Sequence, residues 1–348
     1  MSQPPAWEPI CPPPRRLVRP VPCDPTGRAG PTPNQSRGPH WRRTSRGLFV
    51  PADVDSSVPE QRILEASTLL PAGGATTGWA GLRMARASYF DGLDADGSSR
   101  PVPLLIGPGQ ARRPRAGVSW LRDQVEREEM WVRRGVPCAR PERALFDEIR
   151  AQCDERAAAV ALDMAFAAGL TSRRRMSDYF GRHEGCGGIT IARRAWALAD
   201  EDSWSPGESR MRLTWVLDTG RPRPLCNREV FDEHGRLLGI ADLLDPEAAV
   251  AGEYDGGEHA RPRRRSRDAA KDSAFRDHGL EIFRVTAYDE HDPGAIAARI
   301  EAAYRRAARN RMPRRWTLTP PRGWSAAMSL DQRLQLKAVL QEFRERTD

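Results

Sequence analysis

Acidic side chains in the middle of an apolar strand pattern are the first residues in this 348-residue chain that could do chemistry. Asp242 ends the run Leu238-Gly239-Ile240-Ala241, and Glu253 and Asp255 stand two apart in the next run. Strand alternation puts the latter two on one face. The turn Asp245-Pro246-Glu247 makes the two strands antiparallel neighbours, which brings Asp242 and Glu253 to one end of a sheet. Two carboxylates 4 Å apart repel by about 4 kcal/mol at an effective dielectric near 20, and a hard cation between them removes that cost. The plainer reading is a set of solvated acids at strand ends. The flanking residues argue for more. Asp255-Gly256-Gly257-Glu258-His259 ends the strand in a glycine turn and supplies an imidazole. Arg263, Arg264, Arg265 and Arg267 then open a helix, where cations oppose the helix dipole and suit phosphates better than they suit the helix.

These acids need elements to hold them. After Ser203-Trp204-Ser205-Pro206-Gly207 the pattern predicts a helix over 208–217 capped by Ser205, then strands over 224–231, 236–243 and 248–255. A helix over 264–278, a strand over 280–286 and a helix over 293–309 follow. This is an α/β arrangement with a sheet of mixed direction.

Upstream, residues 1–40 hold twelve prolines and predict a disordered leader. Residues 41–200 read as a mainly helical domain. A Ser cap at Ser56 or Ser57 opens its first helix, a short one follows over 77–85, strands cover 101–106 and 129–134, and helical spacing prevails from 140 to 199. Residues 203–309 form the acid-bearing domain, and 310–348 a basic linker with a terminal helix.

The whole chain narrows the function classes. A formal charge of +8 suits a polyanion, though only Lys271 and Lys337 are lysines, so the arginine count reflects composition bias as much as purpose. The six cysteines show no CxxC spacing, which points to a reduced, cytoplasmic interior. No apolar run of about 18 residues predicts a membrane span. P-loop, HExxH and GxSxG motifs are absent.

Glu208 in Gly-Glu-Ser-Arg-Met-Arg-Leu, the strand ending at Asp242, Gly252-Glu253-Tyr254-Asp255-Gly256 with His259, Lys271-Asp272, and Gly279-Leu280 through Phe283-Arg284-Val285-Thr286 together resemble the very-short-patch-repair-like branch of the PD-(D/E)xK nuclease superfamily. The resemblance implies a restriction-endonuclease-like core in which Glu208, Asp242 and Glu253 surround Mg²⁺ or Mn²⁺ and DNA phosphodiesters are hydrolysed. Asp255 stands where that superfamily often has Lys, so His259 or Lys271 would have to supply the cation, and Asp272 would be a supporting acid. The departure keeps a second expectation open, a catalytically silent DNA-binding regulator or antitoxin-type protein. More loosely, residues 42–51 with the two helices that follow resemble antitoxin-type winged-helix modules, which implies DNA contact. A purely structural helical domain is the alternative there.

Overall fold

Of the proline-rich start, expected to be disordered, residues 8–14 and 16–40 are drawn into the fold, and the rest lies outside the described residues. In the computed structural model, which describes residues 8–14, 16–152, 154–256, 262–290, 292–324 and 328–336, with the backbone alone for 262–269, strands β1 (Val21–Pro22), β2 (Trp41–Ser45) and β3 (Leu48–Pro51) form an antiparallel sheet in the order β1-β3-β2. The physical reason lies in the partner. Gln61 pairs both the N–H and the carbonyl of Val18 at 2.9 Å, and Cys11 is buried. Backbone polar groups satisfied by a distant side chain offset ordering entropy that the segment's own composition could not.

Two units make up the chain, Ile10–Cys153 with Asp178–Ala192, and Met1–Pro9 with Asp154–Ser177 and Arg193–Asp348. The first holds strands as well as helices. Helices α1 (Pro59–Ser67) and α2 (Gly78–Met84) accompany β4 (Ala75–Thr76), β5 (Val102–Leu105), β6 (Val118–Leu121), β7 (Met130–Arg133) and β8 (Val136–Ala139), ahead of α3 (Pro141–Arg150). The five strands form one sheet, ordered β6-β5-β4-β8-β7. Runs this short show no period, which is why the helices dominate the sequence pattern. Nor does a serine cap α1. Its N-cap is Val58, and Ser57 Oγ donates instead to Asp55.

Helices α4 (Glu155–Ala167), α5 (Arg173–Arg182) and α6 (Ile189–Leu198) come next, and α5 and α6 are divided between the units. The second unit continues with α7 (Pro206–Leu217), β9 (Leu225–Asp232), β10 (Leu237–Asp245), β11 (Val250–Asp255), α8 (Pro262–Asp277), β12 (Glu281–Thr286), α9 (Pro293–Ala307) and β13 (Trp316–Thr317). Its sheet runs β12-β11-β10-β9-β13, with β11 and β12 parallel and the other pairs antiparallel. The expected helix, meander, crossover helix and strand are all present. The expected linker is partly sheet, because Trp316 pairs with Asp232 and is itself buried. α7 and α9 close one face of the sheet over Met211, Trp215, Leu243, Val250, Phe283 and Ile300, and α8 covers the other over Val230, Ala241, Ala251, Phe275 and Ile282. Each large apolar side chain buried this way contributes about 1.5–3 kcal/mol.

The unit boundary falls well before the Ser203–Gly207 punctuation. What carries α4 into the second unit is a buried polar knot: Asp163 accepts from Arg212 Nη2 at 2.6 Å, from Ser209 Oγ at 2.7 Å and from the Asp200 N–H at 2.6 Å. Both charged side chains are essentially shut off from water. Residues 209 and 212 lie on α7, so this knot fixes the helix whose first turn bears Glu208. Among the described residues no helix is long and apolar enough to cross a membrane. Arg212→Met should leave the Asp163 charge buried and unpaired, at a cost of about 3–5 kcal/mol, while Asp163→Leu combined with Arg212→Met should recover much of it. Urea unfolding of the two variants checks this, and a single variant as stable as the parent would show that the knot does not anchor α7.

Candidate metal and phosphodiester site

Register places the candidate acids side by side. Leu243 pairs with Gly252, and continuing that antiparallel register by one residue sets Asp242 opposite Glu253. Glu253 in turn pairs with Arg284 across the parallel β11/β12 ladder. Asp242 is anchored by the Tyr254 N–H, which donates to its Oδ2 at 2.8 Å. Glu253 is almost wholly buried, and its Oε1 has no hydrogen-bond partner among the described residues.

Lys271 reaches Glu253 from α8. Its Nζ donates to Glu253 Oε2, and to the carbonyl of Ile240 at 3.1 Å. The stem crosses β10 at Gly239, where any Cβ would stand 2.7 Å from Lys271 Cγ and 2.8 Å from Cδ. A side chain at position 239 would close that path.

Glu208 approaches from the start of α7. Ser205 Oγ accepts from the Glu208 N–H at 3.3 Å as the N-cap and donates to Glu208 Oε1 at 2.9 Å. Oε2 accepts from the Trp204 N–H at 2.9 Å and from Asn227 Nδ2 at 2.8 Å. The arrangement resembles a capping box, which accounts for part of the residue's role. It does not account for the proximity of Asp242. Burial, and then the Asp242 charge, push the Glu208 carboxyl up to about 7 against these three donors. Burial and Asp242 likewise push Glu253 up to about 8, although Lys271 and Arg284 pull the other way. Both acids therefore feel the same neighbour.

The remaining expected residues divide. Asp255 is half-exposed at the end of β11, and Arg284 Nη1 stands 3.9 Å from it. Arg284 Nη2 lies 2.9 Å from both carboxylate oxygens of Asp272, so Asp272 serves as the anchor of that arginine. His259 lies outside the described residues, as do the side chains of Arg263, Arg264, Arg265 and Arg267, whose backbone belongs to the first turns of α8. Sequence reasoning missed Asn227, Tyr254 and Arg284. Tyr254 had no signal as a ligand, because its backbone holds Asp242 while its ring fills the space left by Gly207, where a Cβ would stand 2.0 Å from the ring.

No protein-family model, curated protein or solved structure matches this chain.

The donor set suits a hard cation. Its members are carboxylate oxygens on two adjacent strands, with one buried oxygen unbonded among the described residues. Among those residues no three His, Cys, Asp or Glu side chains are grouped so as to hold a metal ion. Two carboxylates completed by water and a substrate phosphate are, however, how Mg²⁺ is usually held. Asp242 and Glu253 could supply them, and Glu208, already engaged by three donors, could supply an outer contact.

The raised carboxyls carry a sign for stability. With folded values of about 7 and about 8 against an ordinary 4.5, the folded chain binds more protons than the unfolded chain between these limits, so stability falls as pH rises through that window. Metal-free protein should therefore unfold at lower urea near about pH 8 than near about pH 5.5, and Glu208→Gln with Glu253→Gln should flatten the difference. An unchanged slope in the double variant would remove these two acids as its source.

Proposed function

We propose that the second unit is a restriction-endonuclease-like domain of the very-short-patch-repair-like branch of the PD-(D/E)xK superfamily, and that it hydrolyses DNA phosphodiester bonds with Mg²⁺ or Mn²⁺. The observation that carries the reading is that Asp242 and Glu253 follow directly on the last residues paired between β10 and β11, Leu243 and Gly252, while Lys271 closes on the same glutamate. Fold class alone would not separate this from many other α/β functions.

Bound Mg²⁺ would polarise the phosphoryl oxygen and lower the pKa of an attacking water. The chain's residues supply the rest. Asp242 and Glu253 would ligate, and the Tyr254 N–H keeps Asp242 aimed. Lys271, whose ammonium donates to Glu253, would take the part of the superfamily's lysine, since position 255 itself holds an acid. An ammonium there can offset the negative charge that grows on the phosphoryl oxygens in the transition state. The +8 formal charge favours a polyanionic partner. We assign the first unit the positioning role of an antitoxin-type winged-helix module, on the strength of the β2/β3 hairpin followed in the chain by α1 and α2.

A second reading has its own support. Position 255 carries Asp where the superfamily often has Lys, and this motivates a catalytically silent DNA-binding regulator or antitoxin-type protein. Plasmid incubated with the protein and Mg²⁺ or Mn²⁺ separates the two. Asp242→Ala and Glu253→Ala should each lower cleavage by about 100-fold or more, and Lys271→Met by about 10-fold or more with little change in DNA affinity. Cutting that survives both carboxylate substitutions sinks the nuclease proposal. Salt-dependent DNA binding that ignores chelator, with no cleavage, establishes the regulator in its place.

A further inference from the structure

We infer that Asn227 is a positioning residue of this site, and that its side-chain amide sets where the Glu208 carboxylate sits relative to Asp242. Three independent features place it there.

The first is register. Cys226 pairs with Leu243 and Arg228 with Ala241, so Asn227 stands opposite Asp242 across β9/β10. Together with Glu253 and Arg284 it completes one row across four strands. The second is hydrogen bonding. Asn227 Nδ2 donates to Glu208 Oε2 at 2.8 Å and to the carbonyl of Asp202 at 2.6 Å, which uses both hydrogens of the amide. The Asp202 contact ties the amide to the chain just ahead of α7.

The third feature is the backbone. Asn227 has φ of 48° in the middle of an eight-residue strand, inside the left-handed region that Asn tolerates better than most side chains. Cys226 packs in the core beside Met211 and Trp215 of α7, so plain alternation would carry residue 227 to the face of α8. The left-handed backbone breaks that alternation and directs the amide to Glu208. Strain of this kind persists only where the surroundings over-determine it, and it concentrates at functional positions.

The catalytic part of this inference rests on the nuclease reading, whereas the positioning part does not. Asn227→Gly separates the amide from the backbone, because glycine adopts the left-handed conformation freely and loses only the side chain. Asn227→Asp is the companion: it also tolerates that conformation but presents an acceptor to Glu208. Crystal structures of both variants beside the parent show Glu208 directly, without metal or activity. We expect Glu208 to leave its contact with Trp204 or to turn from Asp242 in each variant. Plasmid cleavage should fall about 10- to 100-fold in kcat at unchanged KM, while the thermal midpoint of the glycine variant stays near that of the parent. A Glu208 that keeps its place in both variants overturns the inference, as does a glycine variant that cleaves like the parent. Should the parent itself not cleave, the nuclease reading fails by that result, and the crystal comparison still decides for or against Asn227.

Discussion

Asp242 is the charge that the rest of the site answers to. It raises both Glu208 and Glu253, two carboxyls that burial already pushes upward. A buried carboxyl that also feels a neighbouring charge is unstable when ionised, and there are only a few remedies: a proton, a buried donor or a cation. The fold uses donors wherever it can. The Tyr254 N–H serves Asp242, the cap of α7 and Asn227 serve Glu208, and Lys271 serves Glu253. One oxygen, Glu253 Oε1, has no donor among the described residues, and it belongs to the most deeply buried of the three.

Holding those donors in place requires structure far from the acids. α7 must start at one fixed height for Ser205, Trp204 and Glu208 to meet, and the Asp163–Arg212–Ser209 knot pins the helix a turn further on. Gly207 lets the Tyr254 ring lie against the same first turn, while the Tyr254 hydroxyl bonds Glu290, which also takes Arg210. The backbone of Tyr254 positions Asp242 and its side chain braces the helix that carries Glu208. A disturbance of either helix or strand therefore reaches both acids.

How much of this was legible in the sequence depends on the distance over which each feature is encoded. The helix from Pro206, the three-strand meander and the crossover to β12 rest on local periodicity and turn residues, and they lie where those signals put them. The antiparallel pairing of the strands that carry Asp242 and Glu253 followed from a tight turn of known residues. The order in residues 10–40 did not, because it depends on Gln61 and on pairing with β3. β13 was hidden for the same reason, being two residues whose strand character exists only beside β9. Asn227 left no trace, since a left-handed residue inside a strand is indistinguishable by type from a polar residue on an exposed face.

Position 255 looked decisive in one dimension and is less so in three. A motif records which residue stands at a given spacing, whereas chemistry requires a charge at a given point. Along β11, residue 255 points with 253 but lies two residues further on, half-exposed and opposed by Arg284. Lys271, sixteen residues beyond in sequence, reaches Glu253 because α8 packs across β10 and because Gly239 leaves the stem room to pass. Arg284, held by Asp272, balances the acid that occupies the motif position. Positive charge thus reaches Glu253 from a helix, through Lys271, and from the neighbouring strand, through Arg284. Delivery from a helix makes the ammonium depend on the packing of α8, through Phe275, against the sheet, so the stability of that face and the electrostatics of the site are set by the same contacts.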